Sequence, residues 1–440
     1  MLLRCPRAIL LICFAAGFTL GLFCRIQANR QSLVSLGQAA EQITAVSGLL
    51  LDDPRTTSTG RGMGTMDLHF VTGSGRVQTS AKGKTLVFFT EGSLPRLREF
   101  GRGSEVFVEG NFIIREDGGG GTPMFRAVSV HIARGGGSID QLRTRCRLAL
   151  IDTFGKAGKW GGLALALLIG IRDNLDTELA RQYQLAGCSY ILALSGMHLA
   201  IVSSLIAFLL KRPLGLKAAA ALGAVFVLLY VFLVGAQPSL TRAAIMYIIG
   251  SAAIIGAFPS NPALLLAMSF IFQIVFQSES GDSISFLLSY LALAGILSVG
   301  QSFAFFLKGK LPDIIASPLS ASLGAFFATM AVSFYFFGTV SLAGIAAGLL
   351  MVPLTTVFMI GAIARLASTF VLPFLNPVLD YALSVVYRIL EKIAYTAGKF
   401  PPVVMPPNAL VLIVSIFLPI VILAAHQYIV IKRYSIERFD

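Results

Sequence analysis

The chain has 440 residues, of which 55% are hydrophobic and only 13% charged, and its formal net charge is +13. Soluble domains carry about 25% charged residues, so a soluble globular chain is excluded. The apolar blocks that follow Trp160 almost to the C-terminus describe a polytopic α-helical membrane protein. The excess of Lys and Arg suits the positive-inside bias of membrane loops and equally a surface that attracts a polyanion.

Residues 1–30 are expected to form an N-terminal membrane anchor. Positions 8–24 are apolar, Arg4 and Arg7 precede them, Arg25 bounds them, and no small-residue cleavage site follows. About 17 apolar residues are just enough to span a bilayer. From 40 to 135 the character changes. Runs such as 85–89, 104–110 and 126–130 alternate or are β-branched, and Gly, Asp and Pro clusters divide them. This reads as a small all-β domain, a five-stranded barrel with Gly118 to Gly121 at a hairpin tip. Lys82, Lys84, Arg96, Arg98 and Arg102 are interleaved with Glu91, Glu99, Glu105 and Glu109, the pattern of a solvated face as much as of a nucleic-acid patch. Residues 138–158 place Leu142, Leu148, Leu150 and Ile151 beside Arg143, Arg145 and Arg147. That pattern predicts an amphipathic helix along the membrane interface, with a plain connecting helix as the alternative.

The membrane core is expected over 160–365. The stretch 161–171 is apolar for about eleven residues, too short to cross alone, and reads as a re-entrant or broken helix. Spans are predicted near 186–210, 216–234, 240–257, 263–276, 284–307, 314–337 and 340–363. The C-terminal region, 366–440, holds a less regular Pro-rich section at 372–400 and a last span near 410–431. The total is about nine or ten spans. Lys211-Arg212 with Lys217, Lys308 with Lys310, and Arg365 fall in loops on one side in this threading. The positive-inside rule makes that side cytoplasmic and the β domain extracytoplasmic.

Polar islands interrupt the apolar background. Gly170-Ile171-Arg172-Asp173-Asn174 closes the half-helix. Gly187 to His198 carries Cys188, Ser189, Tyr190, Ser195, Gly196 and one of only four histidines. Gly235-Ala236-Gln237-Pro238-Ser239-Leu240-Thr241-Arg242 sets Pro and Ser at a helix start, with Arg242 one turn in. A fourth, weaker island joins Gly281-Asp282-Ser283 to Ser289 and Tyr290. Hydrocarbon satisfies no polar group, so these residues must face protein, a cavity or a substrate path. Arg242 is expected to point inward, toward Asp173, Asp282 or an anionic substrate. Ser195 and His198, three residues apart, raise the alternative of an intramembrane serine hydrolase, for which a third partner and an oxyanion hole would be needed. The five cysteines, Cys5, Cys13, Cys24, Cys146 and Cys188, show no metal-ligand spacing and no disulfide framework. No phosphate-binding Gly-x-x-x-x-Gly-Lys loop occurs either, so neither a cofactor nor a metal is implied.

At these islands the sequence resembles the ComEC-type competence proteins. Ala166-Leu167-Leu168-Ile169-Gly170-Ile171-Arg172, the stretch Ala186 to His198, and Gly235 to Ala243 follow the order of three family motifs. Leu342 to Pro353 is similar to a later apolar segment ending in Pro. The likeness covers about 164–363, and the β domain occupies the position of the family's external OB-like domain. Departures are Tyr190 for a family His, Leu287 for a Gln, and Phe326, Ala331 and Gly348 at polar or Pro positions. The resemblance implies transport of single-stranded DNA across the inner (cytoplasmic) membrane in natural transformation. Arg172 and Arg242 would contact phosphates, Ser195, His198, Pro238 and Ser239 would line the path, and Gly196 and Gly235 would allow close backbone approach. It further implies partners: single-stranded DNA, the lipid bilayer, a separate DNA receptor and a cytoplasmic ATP-driven motor. Many members carry a metallo-β-lactamase-like nuclease domain; this sequence ends at Asp440 without that signature, so the nuclease is expected on another polypeptide. A homo-oligomer stays open, as does a transporter or flippase for another polyanion.

Overall fold

Period-2 alternation between residues 43 and 134 builds strands with one apolar face each, and the turn residues between them let those strands close into a ring. In the computed structural model, the residues described are 40–57, 61–75, 77–113, 124–277, 283–400, 402–404 and 409–436, with side chains from 414 to 429 in the last helix. The expected anchor at 1–30, the Gly118 to Gly121 tip and Asp282 lie outside the described residues. The strands are β1 (Ile43–Leu50), β2 (Arg55–Thr56), β3 (Gly62–Gly73), β4 (Gln78–Ser80), β5 (Lys84–Phe89), β6 (Glu105–Ile113) and β7 (Met124–Arg134). β1 pairs antiparallel with β3 and β6, β3 with β5, and β6 with β7, while β5 and β7 run parallel. The five long strands therefore form a closed OB-like barrel without open edges. The short β2 and β4 extend β3. Val46, Leu50, Met66, Val87, Phe89, Val108 and Phe125 fill it, each without solvent exposure. Helix α1 (Leu94–Phe100) adds Leu97 to this core.

The compact unit that holds the barrel continues to Leu175 and takes in Phe232–Gly235. Helix α2 (Ser138–Gly155) is the one expected along a membrane interface. Two of its arginines have another use. The Arg143 side chain is 2% exposed. Its Nη1 and Nη2 donate to both Asp53 oxygens at 3.0 and 2.7 Å, and its Nε donates to the Phe232 carbonyl at 2.7 Å. Arg147 lies 3.3 Å from Asp53 and donates to the Leu233 carbonyl at 3.0 Å. The carbonyls at 232–234 close a helix C-terminus, where cations are favoured. Helix α3 (Lys159–Ile169) is the expected half-helix: eleven residues, buried from Trp160 to Ile169, and ended by left-handed Gly170.

The second unit is helical: α4 (Thr177–Leu185), α5 (Ser189–Leu192), α6 (Gly196–Val234, its last turn in the barrel unit), α7 (Pro238–Gly256), α8 (Pro262–Phe276) and α9 (Ile284–Gly295). A π-helical turn, Ile296–Gly300, carries α9 into α10 (Gln301–Leu307). Then come α11 (Asp313–Phe337), α12 (Ala343–Val371), α13 (Asn376–Gly398) and α14 (Ala409–Ile436), and β8 (Thr339–Val340) pairs with β9 (Val403–Val404). Among the described residues five helical stretches are long and apolar enough to cross a membrane: α6, α7, α9 through α10, α11 and α12. α3, α8 and 414–429 of α14 are shorter apolar helices. The protein is a multi-pass membrane protein.

The spans predicted at 186–210 and 216–234 are the two helical halves of α6, divided at Gly215, whose φ of 78° and ψ of 170° are not helical; the first half begins at Gly196. Two other expectations change. The irregular section at 372–400 is instead a helix of 23 residues, α13, because its prolines fall at the start, where no amide proton is missed. Arg365 is no loop residue. It lies inside α12 and pairs with Asp380 of α13 at 2.5 Å.

Burial alone would raise the Asp53 carboxyl, but the Arg143 hydrogen bond and the Arg147 and Arg143 charges outweigh it and hold it below the ordinary carboxylate value. A carboxylate depressed in this way contributes stability that is fully present above the unfolded value of about 3.9, and that is lost as pH falls through the lower folded value. Asp53→Asn is expected to abolish this acid-dependent loss and to leave Arg143 buried without its carboxylate, at a cost of about 3–5 kcal/mol. Thermal unfolding of wild type and variant in nanodiscs, from neutral pH into the acid range, checks both effects.

Candidate functional site

The stretch from Gly187 to His198 is a broken helix. α5 lasts four residues, and Ala193, with φ −79° and ψ 130°, turns the backbone extended before α6 begins at Gly196. Ser195 takes the N-cap position of α6, and its carbonyl accepts from the His198 amide at 3.1 Å. The His198 ring, fully buried, reaches back: Nδ1 accepts the Ser195 backbone N–H at 3.1 Å and lies 3.0 Å from Ser195 Oγ. This is the return half of a capping box, in which the side chain at the third helical position accepts the N-cap amide, with imidazole in place of the usual Glu or Gln. Because Nδ1 accepts that amide, the neutral ring carries its proton on Nε2. The nitrogen that a serine nucleophile would need is thus already engaged by the backbone. Among the described residues no three His, Cys, Asp or Glu side chains form a group that could hold a metal ion.

Gly196 opens α6 against the start of α7. A Cβ there would sit 2.9 Å from Arg242 Nη2 and 3.1 Å from Ala243 Cβ, so only glycine lets the guanidinium lie over this helix end. Arg242 is 8% exposed. Its Nη1 donates to the Ser289 carbonyl, and its Cζ lies 5.7 Å from the centre of the Tyr290 ring, a cation–π contact. Arg242 Nε is buried with no hydrogen-bond partner, and among the described residues no carboxylate pairs with this arginine. The expected partner Asp173 is instead bound by Arg98 at 2.7 Å. Ser239 Oγ donates to Ser289 Oγ at 2.7 Å, and the Pro238 carbonyl accepts from Gln273 Nε2 at 3.2 Å. Gln273 Oε1 in turn accepts from the Tyr290 hydroxyl at 3.0 Å. Gln273 was missed by the sequence reading, although it is one of few polar side chains within the apolar run of α8.

The other end of the same stretch docks on α12. Cys188 is fully buried, with Sγ 3.8 Å from the Gly344 carbonyl, as befits a packing residue. Ser341 Oγ donates to the Ala186 carbonyl at 3.3 Å. The Tyr190 hydroxyl occupies the place where any side chain at Gly348 would begin. Two departures from the family pattern therefore face each other.

Of the sequence-derived positions, Gly196, Pro238, Ser239 and Arg242 come together, with Ser195 and His198 one step away. Arg172 and Gly235 belong to the barrel unit. There, Arg172 follows the Gly170 cap and its carbonyl accepts from the Leu175 amide at 3.0 Å. Desolvation and the charge of Arg55 both push its guanidinium below the ordinary arginine value. Gly235, at φ 107°, adopts a backbone that side chains resist, and Arg143 Nη2 lies 3.8 Å from its Cβ direction.

Compared with known proteins, residues 167–429 match the family described as Competence protein. That interval contains all of these positions. ComE operon protein 3 of Bacillus subtilis (strain 168) is 30% identical over 210 residues, 46% of this chain but only 26% of that protein, so the likeness spans about a quarter of the relative's length. No solved structure matches the chain.

If His198 serves α6 as a cap, His198→Gln should restore the bond to the Ser195 amide, since Gln is a natural residue at this position of a capping box. His198→Ala should lower stability by about 1 kcal/mol, the usual worth of a cap. Thermal unfolding of the two variants in nanodiscs separates them; equal losses would exclude capping by the ring.

Proposed function

The chain belongs to the competence protein family, and from that premise we propose that it passes single-stranded DNA through the cytoplasmic membrane during natural transformation. The observation that carries the proposal is the state of Arg242. An arginine at membrane depth costs about 2.5–3.5 kcal/mol on insertion scales. Tyr290 and the Ser289 carbonyl offset part of that, yet Nε keeps no hydrogen-bond partner among the described residues and no carboxylate neutralises the charge. A guanidinium presents a fork of donors that matches phosphate. The N-termini of α6 and α7 meet beside it and add partial positive charge. Such a site suits a phosphodiester that arrives, is held weakly and leaves.

Every nucleotide brings a charge that hydrocarbon excludes, so the route has to replace water with protein groups. Ser239, Pro238, Ser195 and His198 are the polar lining in this reading, and Gly196 gives the strand access to Arg242. Arg172 and Gly235 act on the same DNA from the barrel unit, which stands outside the cytoplasm. The barrel engages the strand there in the manner of other OB folds. Receptor and ATP-driven motor are separate polypeptides in this scheme. The capping geometry of Ser195 and His198 disfavours the hydrolase alternative, and the unneutralised guanidinium serves a flippase for another polyanion equally well.

Uptake of labelled DNA by cells carrying variants tests the scheme. Arg242→Ala should lower internalisation by at least about tenfold, the worth of one charge-assisted hydrogen bond, while Arg242→Lys keeps part of it. Undiminished entry with Arg242→Ala present in the membrane would remove this residue from the route. Undiminished entry in cells lacking the gene would favour the flippase reading. Ser195→Ala should lower uptake only in part, as the loss of one lining hydroxyl does; its abolition with the protein folded would revive the hydrolase.

A further inference from the structure

Far along α7 from Arg242 lies a second feature. Residues on both sides of the Gly215 break, among them Ala207, Lys211 and Ala220, share a cavity of about 390 Å³ with Tyr247, Gly250 and Leu265. The two halves of α6 therefore both border α7. At a rise of 1.5 Å per residue, the far end of the cavity at Ile254 stands about 18 Å from Arg242 along the helix. Small residues form its floor, and its volume falls in the range of about 300–1,000 Å³ typical of small-molecule sites. Its long sides are helices of the membrane-crossing type.

The break that shapes the cavity also concentrates charge. Lys211, Arg212 and Lys217 stand within seven residues around Pro213 and Gly215, all exposed. The sequence holds no Asp or Glu between Glu178 and Glu279. Among the described residues none of the three cations has a carboxylate partner. A mostly apolar slot between membrane helices, with Lys211 in its lining and Arg212 and Lys217 exposed nearby in the chain, is complementary to a molecule with an anionic head and a hydrocarbon tail.

We propose that this cavity binds one anionic phospholipid, with its phosphate on Lys211, flanked by Arg212 and Lys217, and an acyl chain against Ala219, Ala220 and Gly250. Lipid occupancy would hold the two halves of α6 against α7 and brace the break from the side away from Arg242.

The full chain in nanodiscs of equal parts phosphatidylglycerol and phosphatidylcholine, released into detergent and weighed by native mass spectrometry, tests this directly. One phosphatidylglycerol should remain bound in preference to phosphatidylcholine. The triple variant Lys211→Gln, Arg212→Gln, Lys217→Gln should lose that preference by about tenfold or more, since each basic residue contributes to anionic-lipid attraction. Gly250→Leu should lose retention with the charges intact; a Cβ at this position meets Leu265 at 3.6 Å, an ordinary contact, so the variant is expected to fold. Equal retention of the two lipids, or unchanged retention in both variants, would overturn the proposal. So would one-for-one displacement of the lipid by an oligothymidylate, which would assign the cations to the nucleic-acid route.

Discussion

A positive charge that stays ionised inside an apolar bundle must be solvated by the bundle itself, and Arg242 is where this protein meets that demand. Its partners are a backbone carbonyl and an aromatic face, Ser289 and Tyr290, rather than a carboxylate. A carboxylate would hold the guanidinium in a closed ion pair, with little left to offer a passing anion. Tyr290 is itself fixed by Gln273, and Gln273 by the Pro238 carbonyl at the start of the helix that bears Arg242. The arginine is thus held within a loop of hydrogen bonds that returns to its own helix, and α8 and α9 take their places around it.

Broken helices are the second consequence of the same demand. Each interruption frees backbone groups that hydrocarbon cannot satisfy, and at both ends of α6 side chains take them up. At the start of α6 the His198 ring takes the Ser195 amide. At the end of α6 the Arg143 and Arg147 guanidinium groups take the carbonyls of Phe232 and Leu233. Asp53 then offsets both cations from the β1–β2 connection. The closing turn of a membrane helix is therefore stabilised by residues that precede it by almost ninety positions, and the barrel unit contains the parts for it.

Sequence alone located what depends on local pattern. The barrel was legible because strand period and turn residues agree, the half-helix because it is too short to cross, and the Arg242 island because charge is rare among apolar residues. Long-range compensation was not legible. Nothing near Arg365 announces Asp380, so a paired arginine within α12 read as a loop. Pro373 and Pro377 read as irregularity although they sit where a helix begins. The basic residues of α2 gave no sign of what Arg143 and Arg147 bind, because the carbonyls and the carboxylate that engage them are distant in sequence. His198 and Ser195 suggested chemistry by their spacing, and that same spacing is what a helix cap requires.

Tyr190 and Gly348 bear on how this sequence can change over time. The hydroxyl of one fills the space that the other leaves empty. A tyrosine at 190 is accommodated only once 348 has lost its side chain, so the order of replacement matters: the small residue first, the large one second. Reversal must run the other way, through 190. Gly348 can therefore stand without Tyr190, whereas Tyr190 in this position depends on Gly348.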